Sequence, residues 1–154
     1  MKKFFLLDPK LLLFGFIISF FSSYGQTFFI SIFNLEIRNY YKLSDGEFGL
    51  LYALATITSS LILVWFAKLI DRIDLRIYSF IICLGLAIAC LGMFYLMDYI
   101  FFLFLIIFSL RFFGQGAMSH AGDTTMSRYF DIDRGKALSV VSLKGQRDRA
   151  LVHF

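Results

Sequence analysis

The sequence predicts an all-α bundle of helices that crosses a membrane, and three observations carry that prediction. Hydrophobic residues make up 59% of the 154 and charged residues only 17%, with 21 phenylalanines and a mean hydropathy of +0.76, whereas about a quarter of a soluble domain is charged. The apolar residues fall into four long runs, and an almost uncharged run of 18 or more residues reads as a membrane-spanning helix. The Lys and Arg residues between the runs gather on alternate loops, as they do when one set of loops stays on the cytoplasmic side.

The first run, LLLFGFIISFFSSYGQTFFISIF, occupies residues 11–33 without a charge; at 1.5 Å per residue it reaches roughly 34 Å, enough for a hydrocarbon core of about 30 Å. Asp8 and Pro9 before it suit an N-cap and first helical position. A secretory signal is the rival reading of this end, but only four apolar residues follow Lys2 and Lys3 before Asp8, Pro9 and Lys10 intervene. The second run covers residues 48–67, and Ser44 with Glu47 has the spacing of a capping box at its start. The third covers 77–97. The fourth, 100–121, contains one charge, Arg111.

Lys2, Lys3, Lys10, Lys68, Arg72, Arg76, Arg128, Arg134 and Lys136 fall on one set of loops, and Arg38 and Lys42 on the other. That bias predicts a cytoplasmic N-terminus in an integral membrane protein, the expected membrane being the inner, cytoplasmic membrane of a bacterium. The net charge of +4 is dispersed among loops beside lipid and forms no basic stripe, so nucleic acid is not the expected partner; the lipid bilayer is. Cys83 and Cys90 sit inside the third run without a C-x-x-C spacing or a nearby His, and act there as small apolar residues. No nucleophile motif, metal spacing or phosphate-binding glycine loop occurs, so neither an enzyme nor a cofactor is expected.

Polar residues inside a span mark the face turned away from lipid. In the first span these are Gly15, Ser19, Ser22, Ser23 and Gln26; in the second Gly49, Tyr52, Thr56 and Ser59; in the fourth Arg111, Gln115, Ser119 and Gly122. Ser, Thr and Gly at such positions read first as packing seams, as do Gly85, Ala89 and Gly92 in the third span. Arg111 differs, because a guanidinium near the midplane costs at least about 2.5 to 3.5 kcal/mol on insertion scales and must face protein or water. Two roles stay open for it: tying helices together through hydrogen bonds to the stripe of Gln26 or Tyr52, or holding an anion or biasing a proton site. Asp123 lies near the end of the fourth span, where it is free to meet the cations of the loop between spans two and three.

That loop, AKLIDRIDLR at residues 67–76, resembles the loop between helices two and three of major facilitator superfamily transporters, whose pattern is G-x-L-a-D-R-x-G-R-R. Ala67, Leu69, Asp71, Arg72 and Arg76 stand in its register; Ala67, Asp74 and Leu75 replace two glycines and an arginine. Tyr24-Gly25-Gln26-Thr27 in the first span, and Arg111 with Gly114 and Gly116 in the fourth, are similar to further family patterns. The resemblance covers about residues 11–142. It implies a secondary transporter that moves a small solute by alternating access, with Arg111, Gln26, Tyr24, Tyr52 and Gln115 as substrate or coupling candidates. Arg111 points to an anion. It also implies that Asp71 acts as a latch to the other half of the transporter, held with its neighbours by Arg72 and Arg76, and joined by Asp123 in the gating set; the bland alternative is a solvated turn that fixes topology.

A family member has twelve spans in two six-helix halves. Here a fifth run starts at Ala137, but Lys144, Arg147, Asp148 and Arg149 interrupt it. The expectation is therefore a partial N-terminal bundle over 1–143 and a charged tail over 144–154, the product of a shifted frame or an early stop, lacking its C-terminal half and inactive alone. The alternative is an independent small four-helix membrane protein acting as an oligomeric channel, exporter or assembly factor.

Overall fold

A computed structural model describes residues 9–95 and 99–129. The segments that carry Lys2, Lys3, Asp8, Asp98, Arg134, Lys136 and the 144–154 tail lie outside the described residues. The described residues are helical, with no strand among them. Four helices are long and apolar enough to cross a membrane, Lys10–Ile32, Asp45–Asp71, Leu75–Tyr95 and Ile100–Arg128. The expected all-α membrane bundle is thus the observed class. Exposed side chains are large and apolar, among them Trp65 at 76% and Phe94 at 79% exposure, which is what a chain with lipid as its solvent requires.

The chain divides into two compact units. One contains the start of the first span and the end of the fourth, residues 1–21 and 119–154. Within it, helix α1 (Pro9–Ser22) buries Leu12, Gly15 and Ile18, and the C-terminal helix Ser119–Tyr129 buries Ala121, Gly122, Thr125 and Met126. A Cβ placed on Gly15 would come within 3.0 Å of the Met126 sulfur, so the hydrogen on Gly15 is what lets Met126 pack there.

The other unit, Ser22–Met118, holds most of the bundle. A 3-10 turn (Ser23–Gly25) leads to α2 (Thr27–Ile32) and α3 (Asn34–Tyr41). Lys42 then adopts a left-handed conformation, φ 54°, and ends α3. Helix α4 (Asp45–Ala67) starts with the expected capping box: the Glu47 amide donates to Ser44 Oγ at 3.3 Å and the Ser44 amide to Glu47 Oε2 at 2.8 Å. Helix α5 (Leu75–Tyr95) follows a tight turn, and α6 (Ile100–Ser109) continues into a π-helical stretch, Leu110–Met118.

In this unit the fourth span is the hub. Helix α6 and the π-helical stretch pack against both α4 and α5, and the Ser23–Gly25 turn packs on the π-helical stretch. Leu103, Ile107 and Leu110 are accordingly almost fully buried. Phe66 stacks on Tyr78 at 5.4 Å and meets Phe112 edge-on at 5.0 Å, joining one end of α4 and α5 to the fourth span. The face of α4 turned inward carries Phe48, Leu51, Ala55 and Ser59. Gly49, expected on that face, is instead exposed with nothing near it, because the buried face follows the bulky residues one position away. Tyr52 and Thr56 flank that face and are half-buried.

Candidate functional site

The first span is broken rather than continuous. After α1 ends at Ser22, three residues turn as a 3-10 helix, Gln26 is extended at φ −76° and ψ 152°, and the α-helix resumes at Thr27. The extended residue shifts the hydrogen-bond ladder. In an unbroken helix the Phe29 amide would donate to the Gly25 carbonyl; here it donates to Gln26 O at 3.1 Å, which the Ile30 amide also reaches at 3.3 Å. The Gly25 carbonyl is left over, and a carbonyl without a partner is costly in a membrane.

Arg111 takes it. From the π-helical stretch, Nη1 donates to Gly25 O at 3.2 Å and to Thr27 Oγ1 at 3.2 Å. The Tyr52 hydroxyl also donates to Thr27 Oγ1, at 2.9 Å, so this one oxygen accepts from both. The guanidinium carbon lies 5.3 Å from the centre of the Tyr52 ring, within the range in which an aromatic face attracts a cation. The charge that lipid would reject is held by a carbonyl, a hydroxyl and a ring from two other spans, and Arg111 is only 9% exposed.

Glycines make the approach close enough. A Cβ on Gly25 would fall on the Leu110 carbonyl oxygen and 2.5 Å from the Gln115 amide; one on Gly114 would lie 2.7 Å from the Gly25 Cα. The two backbones are therefore in contact where the break of the first span crosses the fourth. Two polar atoms of the π-helical stretch at this crossing are buried and have no partner among the described residues, Arg111 Nε and Gln115 Oε1. Buried polar atoms are usually satisfied, so a donor and an acceptor here are available to water or to a polar solute.

The five substrate or coupling candidates thus fall into different positions. Arg111 and Tyr52 come together. Gln115 lies four positions further along the same stretch. Gln26 was one expected hydrogen-bond partner of Arg111, yet no hydrogen bond joins them among the described residues; it acts through its extended backbone, which releases the Gly25 carbonyl. Tyr52, the other expected partner, offers its ring to Arg111 and its hydroxyl to Thr27. Tyr24 packs edge-on against Phe29 at 4.9 Å. Thr27, which sequence reasoning placed only within a similar motif, is the residue where Arg111 and Tyr52 converge.

The AKLIDRIDLR loop forms a 3-10 turn, Lys68–Asp71, tied by the amides of Arg72 and Ile73 donating to Leu69 O at 3.0 and 3.1 Å. Ile70 is buried beneath it, while Asp71, Arg72, Asp74 and Arg76 are exposed. Lys68 Nζ sits 5.2 Å from the Trp65 ring. Asp123 belongs to the other compact unit and is exposed on its helix.

A family model described as Major Facilitator Superfamily matches residues 15–145. No curated protein and no solved structure matches the chain.

Proposed function

The chain belongs to the Major Facilitator Superfamily, and from that premise we propose that its four spans are part of the N-terminal bundle of a secondary transporter, with Arg111 at the heart of its solute or coupling site. The family places it among membrane transporters of small molecules rather than enzymes. The observation that carries the finer reading is the crossing of the broken first span with Arg111. Transporters of this kind bind solutes beside interrupted helices, where backbone groups freed from the ladder are available near the middle of the bilayer.

In this reading Arg111 has two tasks. Its Nη1 holds the break of the first span in shape through Gly25 and Thr27, and its Nε, buried and without a partner among the described residues, is the donor left for an anionic group. The Tyr52 ring keeps the guanidinium in place, and the Gln115 oxygen, an acceptor also without a partner among the described residues, suits a donor group on the solute rather than its anionic group. When such a group binds, Arg111 gains a charge partner and the site is favoured in the state that admits the solute. Asp71, with Arg72 and Arg76, would act as the latch at the far end of the second span. Alternating access needs two bundles rocking about the site, and the four spans supply part of one of them. The N-terminus faces the cytoplasm, in the inner membrane of a bacterium.

The test is thermal unfolding of the purified chain in detergent against small carboxylates and phosphate esters, with neutral amides of matched size as controls. Saturable stabilisation by an anion that disappears in Arg111→Gln supports the reading. Stabilisation that persists in that variant, or a response to none of the anions, overturns it.

A further inference from the structure

A cavity of about 380 Å³ lies in the second unit, between the first span from Tyr24 onward, the end of α5 and Leu110. Its lining is aromatic: Tyr24, Phe29 and Phe33 come from the first span and Phe94 from α5, with Cys90 and Met93 beside it. The rings support one another, Tyr24 against Phe29 at 4.9 Å and Phe29 against Phe33 at 5.4 Å, both edge-on. One charged residue joins them, Glu36. It is exposed, and among the described residues it has no ion-pair partner. Arg38, two positions on, is engaged with Asp45 instead.

We propose that this cavity is a binding site for a lipophilic organic cation. Its volume lies within the range of small-molecule sites, roughly 300 to 1,000 Å³. Four aromatic side chains attract a cation and cover its apolar surface, and the unpaired carboxylate of Glu36 supplies the only formal charge in the lining. A lipid tail would be served by the rings alone; a carboxylate beside them penalises an anion and favours a cation. The cavity borders the Arg111 crossing and shares Leu110 with it, but neither Gly25 nor Thr27, which bond Arg111, lines it, and its ligand has the opposite charge.

The probe is tetraphenylphosphonium, with tetraphenylborate as an anion of the same shape, each measured separately by equilibrium dialysis against the full chain in detergent and corrected for empty micelles. The expected result is saturable binding of the cation only, weakened at least tenfold in Glu36→Gln. In a Cys83→Ala background, the cation also slows modification of Cys90 by N-ethylmaleimide several-fold, and the anion does not. This second measurement leaves Glu36 intact and decides the matter should Glu36→Gln fail to fold. Absence of saturable binding, equal binding of both ions as a lipid- or detergent-filled pocket would give, or cation binding unchanged in Glu36→Gln overturns the proposal.

Discussion

Arg111 donates to the hydroxyl of Thr27, 84 positions earlier in the chain, at 3.2 Å, and the same hydroxyl accepts from Tyr52 at 2.9 Å. Three of the four spans therefore meet at one oxygen. The arrangement follows from a single irregularity: Gln26 is extended, the Gly25 carbonyl is released, and a guanidinium on the opposing helix finds both an acceptor and a place out of lipid.

The glycine crossing gives the first prediction. In Gly25→Ala and Gly114→Ala the new methyl group meets backbone, which cannot swing aside, so each variant loses at least about 1 to 3 kcal/mol, the cost of overpacking. Gly49→Ala is the control: its Cβ meets nothing within 4 Å, and replacing a glycine inside a helix gains roughly 0.5 to 1 kcal/mol. Denaturation in mixed micelles compares the three, and equal effects at 25 and 49 would contradict the crossing.

A second prediction concerns the start of α4. Ser44→Ala removes the side chain that accepts from the Glu47 amide and donates to its carboxylate at 2.8 Å, and lowers stability by about 1 kcal/mol, as loss of an N-cap does. The same denaturation assay reads it, and no change would mean that the cap is spent on solvent alone.

Topology supplies a third. Asn39→Cys and Asp74→Cys, each in a background with Cys83 and Cys90 replaced, are treated in intact cells with an impermeant thiol reagent. Position 39 is labelled and position 74 is not, following the bias of Lys and Arg toward the loops of the N-terminal side. Labelling at 74 alone would invert the assignment.

The fourth prediction separates a part of a transporter from a small protein complete in itself. Reconstituted in sealed liposomes, the 154-residue chain binds solute without moving it. Solute flux by a defined oligomer would favour the independent channel or exporter instead.

What the sequence disclosed and what it hid divide along a physical line. The four spans were legible because lipid forces every backbone group into an internal bond, so long uncharged runs have few alternatives to helix. The Ser44–Glu47 cap was legible because it is made within four residues. Arg111 could be assigned to the interior because a midplane charge has nowhere else to go. The break at Ser23–Gln26 was not legible: in SSYGQT the small and polar residues read equally well as a packing seam on a continuous helix, and what makes them a break is the opposing Gly114 and Arg111. The π-helical stretch and the role of Thr27 depend on the same crossing. Gly49 shows the limit of reading a face from polarity alone, since in α4 the bulky Phe48 and Leu51 decide which side turns inward.

The most direct test of the account is a double-mutant cycle on Arg111 and Thr27, using Arg111→Met and Thr27→Val to keep shape while removing the polar groups. Stability is measured for the parent, both single variants and the double variant in one detergent and lipid mixture. The coupling expected is at least about 1 kcal/mol, as for residues in one hydrogen-bond network. Additivity to within about 0.3 to 0.5 kcal/mol would show that the two side chains act independently, and would contradict the claim that Arg111 holds the break of the first span.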